Sequence, residues 1–170
     1  MTPSEKLTAA YHLCALKGWD NWTYTHITIR IDENHFLINP FSILYKDVTP
    51  DNLILVDMRK PAETYFLNAN PTGILLHSAL YAHRPDIQSI FHLHTTHGVA
   101  VSSMKCGLLP ISQFALHFYN SIASHSYSSL ILDEKTQCDQ VAKDLGPHYT
   151  MLLENHGTLT CGTSIEEAFY

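Results

Sequence analysis

Two histidines one residue apart, His92 and His94, close the apolar run Ile87–Phe91, and a third, His156, lies just past a second apolar run, Tyr149–Leu153. Each run is short, and the first is bounded by Arg84-Pro85-Asp86 upstream and Gly98 downstream, so each reads as a buried strand. Residues two apart on a strand point to the same face, which aims His92 and His94 one way. On a helix the same spacing would turn them roughly 200° apart. Gly157, directly after His156, marks a place where backbone comes close to another group. Two strands of one sheet can therefore deliver three imidazoles to one point, and three protein ligands with a fourth position open is the usual form of a catalytic zinc site. A lone His-x-His pair arises by chance in a chain with 12 histidines. The second strand end of the same shape is what gives the pattern its weight.

The rest of the chain must position those ends. With 170 residues, 45% of them hydrophobic, it is read as a single domain large enough to bury roughly two thirds of its unfolded surface. No apolar run approaches the ~18 residues of a membrane span, and the start Met-Thr-Pro-Ser-Glu-Lys has no signal-peptide character, so the expectation is a cytoplasmic protein without a membrane partner. A net charge of -6 with no lysine or arginine cluster argues against nucleic acid as a partner. Cys14, Cys106, Cys138 and Cys161 are widely spaced and include no C-x-x-C pair, which points to reduced thiols.

Thr2-Pro3-Ser4-Glu5 reads as a capping box opening a helix that runs toward Gly18. The stretch to Ile31 alternates branched apolar with polar residues, as a half-buried strand does, then turns through Asp32–His35 into Phe36–Pro40. A strand is expected at Leu53–Asp57 and a helix from about Thr72 to just before Pro85. After the His92/His94 strand come expected helices at His97–Met104 and Ile111–Ala123, a strand at Ser129–Leu132 and a helix at Thr136–Leu145. A second capping box, Ser164 with Glu167, opens close to Tyr170, so the last helix is expected to be cut short.

Several segments carry a resemblance over nearly the whole chain. Thr25-His26-Ile27-Thr28, Phe36-Leu37-Ile38-Asn39-Pro40, His77-Ser78-Ala79-Leu80-Tyr81 through Arg84-Pro85-Asp86, His92-Leu93-His94-Thr95, Met104 to Ser112, Leu145-Gly146-Pro147 and Asn155-His156-Gly157 resemble, in order and spacing, the class II aldolase/adducin family. The Met104–Pro110 segment is similar to the adducin-like branch. The resemblance implies a three-layer α/β/α fold with a central, mixed, mostly antiparallel sheet, assembled as a homotetramer. It also implies a divalent zinc held by His92, His94 and His156, acting as a Lewis acid on a small hydroxy-carbonyl, sugar-like substrate in a carbon–carbon lyase reaction. The alternative implied by the same resemblance is a noncatalytic interaction module like adducin heads, or a decayed fragment that has kept the histidines.

Two departures bear on catalysis. Aldolases of this family carry a proton-transferring glutamate where this chain has Gly73, and a glycine moves no proton. Their phosphate-binding Gly-Asn pair is replaced by Thr25-His26, with the hydroxyls of Thr28 and Thr72 nearby, so His26, Thr28 and Thr72 are the substrate-side candidates. A packed or surface histidine is the competing reading of His26. Tyr127 matches the place of a tyrosine acid in the family, against the plainer reading of a packed aromatic. Glu154 is expected to miss the metal.

Overall fold

The computed structural model describes residues 1–126 and 135–170. The first helix, α1 (Pro3–Leu16), starts as its sequence dictates: Thr2 Oγ1 accepts from the Glu5 N–H, the Glu5 carboxylate accepts from the Thr2 N–H, and Pro3 takes a first-turn position where it loses no hydrogen bond. Next come β1 (His26–Arg30), β2 (His35–Ile38) and β3 (Ile54–Asp57), then α2 (Pro71–His83) and β4 (Ser89–Leu93). The remainder is α3 (Thr96–Ser102), α4 (Gln113–Leu116), β5 (Ile122–His125), α5 (Lys135–Leu145), β6 (Thr150–Leu153), β7 (Gly157–Gly162) and α6 (Ile165–Phe169).

Among the described residues the strands form one seven-stranded sheet in the order β3-β2-β1-β4-β7-β6-β5. Every neighbouring pair is antiparallel except β5 and β6, which run parallel. This is the mixed, mostly antiparallel α/β arrangement expected from the sequence.

Two cores flank the sheet. On one face Leu76 and Leu80 of α2 and Val141 and Leu145 of α5 pack with Ile90, Met151 and Leu159 of the strands. On the other, Leu7, Tyr11 and Cys14 of α1 and Ile165 and Ala168 of α6 pack with Ile27, Ile29, Phe91 and Leu93. The strand pleat sorts the residues: Ile27, Ile29 and Phe91 go to the α1 face, which leaves His26, Thr28 and His92 on the α2 face. No helix among the described residues is long and apolar enough to cross a membrane.

The sequence reading needs correction in three places. The expected helix at Ile111–Ala123 is confined to Gln113–Leu116, after which Asn120 adopts a left-handed φ of 57° and the chain enters β5, with Ile122 in register with Thr150. Asn tolerates that conformation, and it cannot be continued as a helix. β1 is not a half-buried strand: residues 26–29 are all buried, because α2 covers the polar face with polar partners of its own. Finally, β7 lies in a stretch for which no strand was expected, although Thr158, Leu159, Thr160 and Cys161 alternate as a strand should. The strand expected at Ser129–Leu132 lies outside the described residues.

Candidate metal centre

The three histidines are brought together by two neighbouring strands, β4 and β7. His92 is the fourth residue of β4 and pairs in register with Leu159 of β7; His94 follows the end of β4, and His156 sits in the tight connection between β6 and β7. Asn155, with φ 60°, turns that connection. A Cβ on Gly157 would stand 2.6 Å from the Leu93 carbonyl oxygen and 3.0 Å from His94 Cδ2, so only glycine lets the turn close against the end of β4. The result is three Nε2 atoms facing one another, at 2.9 Å for His94–His92, 2.9 Å for His94–His156 and 3.1 Å for His92–His156.

That donor set fits a divalent ion. Nitrogens so close together share a point roughly 2.1 Å from each, displaced from their plane, which is the normal zinc–imidazole distance. Among the described residues this is the one group of histidine, cysteine and acidic side chains close enough to hold an ion. His92 Nδ1 lies 3.1 Å from the Thr158 carbonyl, to which it donates, so its Nε2 is left as a lone pair aimed at the centre. His94 Nδ1 lies 3.4 Å from the side-chain nitrogen of Asn21.

Electrostatics favour the same state. Burial pushes the His92 imidazole well below its ordinary pKa, with help from its neighbours His26, His94 and His156. Burial also lowers His94, and lowers His156 to about 4 with a contribution from His94. Neutral imidazoles are ligands; protonated ones are not.

His26, Thr28 and Thr72 occupy different positions. His26 pairs in register with His92 across β1 and β4, so both side chains stand on one face with ring centroids 4.9 Å apart. Its Nδ1 is 2.8 Å from His77 Nε2 of α2. Thr28 is wholly buried, its hydroxyl 2.7 Å from His77 Nδ1 and 2.8 Å from the Tyr81 hydroxyl. Thr72 is half-buried in the first turn of α2, its N–H donating to the Asn70 cap. Tyr127 lies outside the described residues. Glu154 is turned to Ser124, whose hydroxyl donates to its carboxylate at 3.0 Å.

Sequence reasoning missed His77, Tyr81 and Asn21. The first two were legible as a pair: four residues apart on α2, they face the same way, toward the alternating polar residues His26 and Thr28 of β1.

Comparison with known proteins identifies the family. Residues 5–170 match the family model of the class II aldolase and adducin N-terminal domain, and the chain belongs to that family. It is 45% identical to alpha-adducin of Rattus norvegicus over 97% of its own length, although it spans only 23% of that protein. Among solved structures, an aldolase II superfamily protein from Pseudomonas syringae superposes with a TM-score of 0.89 at 41% identity, covering 98% of this chain and 67% of the other. The L-fuculose 1-phosphate aldolase from Glaciozyma antarctica PI12 gives 0.82 at 31% identity, with 98% and 66% covered.

Proposed function

We propose that this chain is a zinc-dependent lyase of class II aldolase type, making or breaking a carbon–carbon bond in a small hydroxy-carbonyl, sugar-like compound. The observation that carries the reading is the convergence of three imidazole Nε2 atoms within 2.9–3.1 Å of one another at two strand ends. His92, His94 and His156 would hold the ion, and because all three are neutral it would keep its full charge. When bound, such an ion supplies Lewis acidity that draws off charge as an enediolate develops on the substrate. The substrate would lie on the side of His26, with Thr72 at its edge and Thr28 acting from behind His26. Gly73 leaves the usual proton-transferring position without a side chain, and Tyr127 is the candidate acid in its place. The protein is proposed to work as a cytoplasmic homotetramer.

A second reading, a noncatalytic interaction module that has kept the histidines, is favoured by Gly73 and by the 45% identity to alpha-adducin. Metal content per chain, measured by mass spectrometry on purified protein beside His94→Ala, tests the first reading. Near-stoichiometric zinc lost on substitution, with cleavage of some member of a panel of ketoses and hydroxy-aldehydes, is the expected result. No metal in either protein would sink it, and zinc without turnover on the panel would leave the interaction module.

A further inference from the structure

Behind the three histidines runs an unbroken line of buried polar groups. His26 Nδ1 meets His77 Nε2 at 2.8 Å, His77 Nδ1 meets Thr28 Oγ1 at 2.7 Å, and Thr28 Oγ1 meets the Tyr81 hydroxyl at 2.8 Å. All four residues are 1% exposed or less. At the far end the Arg30 guanidinium lies over the Tyr81 ring, 4.4 Å from its centroid, and is itself fixed by the backbone carbonyls of Ile87, Tyr81 and Arg84.

We propose that Tyr81, Thr28 and His77 are positioning residues that fix His26 as an Nε2–H donor beside the metal centre, aimed at a substrate oxyanion. The proposal rests on the aldolase-type reading for what the donor binds, but not for the order of the protons. That order follows from counting them. A phenol O–H buried without an acceptor is costly, and Thr28 is the partner of the Tyr81 hydroxyl, so Tyr81 donates to Thr28. The arginine over the ring withdraws electron density and makes the phenol a better donor. Thr28 Oγ1 has a second lone pair, but accepting from His77 as well would leave its own proton without an acceptor among the described residues, so Thr28 donates that single proton to His77 Nδ1. His77 is neutral in this setting and carries one N–H, which must then be at Nε2, where it donates to His26 Nδ1. His26, neutral as well, is left with its proton at Nε2.

The reverse order sends each proton the other way and ends with the Tyr81 proton pointing at no acceptor among the described residues. The alternation of β1 places His26 and His92 side by side on one face, so the donor produced at His26 belongs to the centre and not to the core behind it. A fixed N–H there would hold a developing oxyanion by hydrogen bonding, with no proton gained or lost at His26. Gly73 makes room for the ring.

The test reads tautomers directly. Side-chain nitrogen shifts of isotope-labelled histidine, measured by NMR on metal-free and zinc-loaded protein and assigned with His26→Asn and His77→Asn, are expected to show the Nε2–H form at both rings. Thr28→Val should mix the two forms at His77 and His26, and Thr28→Ser should restore the single form. An Nδ1–H form at His26 in the unmodified protein, or populations unmoved by Thr28→Val, would overturn the order. The donor role is read separately with glycolohydroxamate, a zinc-chelating enediolate mimic: His26→Phe is expected to weaken its binding to zinc-loaded protein about tenfold at unchanged zinc content, the worth of one hydrogen bond. Unchanged affinity would overturn the donor role. Failure of the unmodified protein to take up zinc would sink the aldolase reading instead, and the nitrogen spectrum would still decide the order.

Discussion

His26 occupies the space that a side chain on Gly73 would need: a Cβ there would lie 2.9 Å from His26 Cγ and 3.1 Å from its Cδ2. The ring cannot swing aside, because its Nδ1 is held by His77 and its face lies against His92. The absence of a side chain at position 73 of α2 and the seating of the His26 ring on β1 are therefore sterically coupled. Gly73→Ala alone is expected to destabilise the protein by about 1–2 kcal/mol, overpacking outweighing the better helix propensity of alanine. In a His26→Ala background the same substitution should become neutral or stabilising, a coupling of at least about 1 kcal/mol in a double-mutant cycle read by denaturant unfolding. Additive effects would show that the two sites are independent.

Gly157 makes a parallel case at the metal centre. A Cβ there would stand 2.6 Å from the Leu93 carbonyl oxygen, backbone that cannot rotate away, so the missing Cβ is what lets the β6–β7 turn close against β4. Gly157→Ala should push His156 out of line with His92 and His94. Zinc affinity measured by competition with a chromophoric chelator is expected to fall about 10- to 100-fold, the range seen when the support of a metal ligand is disturbed. An unchanged zinc affinity would mean that the turn yields without moving the histidine.

His77 gives the metal-free protein an acid sensitivity. Burial, with a further contribution from His92, pushes its pKa well below the ordinary histidine value. The unfolded chain takes up a proton there near pH 6.5 and the folded chain does not, so the contribution to stability is complete above that pH and is lost as the pH falls below it. Between pH 6.5 and 5.5 the loss is at most about 1.4 kcal/mol for this one group. Unfolding midpoints of metal-free protein across that interval should drop less steeply for His77→Asn than for the unmodified chain. Parallel curves would show that His77 is protonated in the folded state.

Much of this was legible in the sequence because local chemistry and tertiary demand agree. The capping box at Thr2, the helix from about Thr72 to just before Pro85 and the apolar runs that lead into His92 and His156 are each set by residues within a few positions. What escaped depends on partners distant in sequence. His26 and Thr28 look like the wet face of a strand until α2 is known to bring His77 and Tyr81 over them. The run from Ile111 to Ala123 reads as a helix because nothing within it shows that Ile122–His125 will find β6, a pairing across 28 positions in register. Thr28 was expected on the substrate side, and its hydroxyl is spent on His77 and Tyr81.

Arg84 joins the end of α2 to the α5–β6 connection, and its planar shape decides what can replace it. Nη1 donates to the carbonyls of Gly146 and His148 at 2.6 and 3.0 Å, while Nε and Nη2 form a two-pronged pair with Asp86 at 2.8 and 2.6 Å. The guanidinium also lies over the Tyr149 ring, whose hydroxyl donates to the same carboxylate at 2.6 Å. Arg84 first, and Tyr149 with it, hold the Asp86 carboxyl well below the usual carboxylate range. That contribution is present above about pH 4 and lost as the pH falls through the depressed value, and with the Asp86 side chain 41% exposed, solvent limits it to below about 1 kcal/mol. The carbonyls are another matter, since without Arg84 they lose their donor in a partly buried place. Arg84→Lys supplies one charge but neither the fork nor the stack, so it is expected to cost about 1–2 kcal/mol, close to Arg84→Ala, whereas Asp86→Asn should cost less than either. Denaturant unfolding at pH 7 ranks the three variants, and a lysine variant as stable as the unmodified protein would show that charge alone, rather than the geometry of the guanidinium, holds this corner.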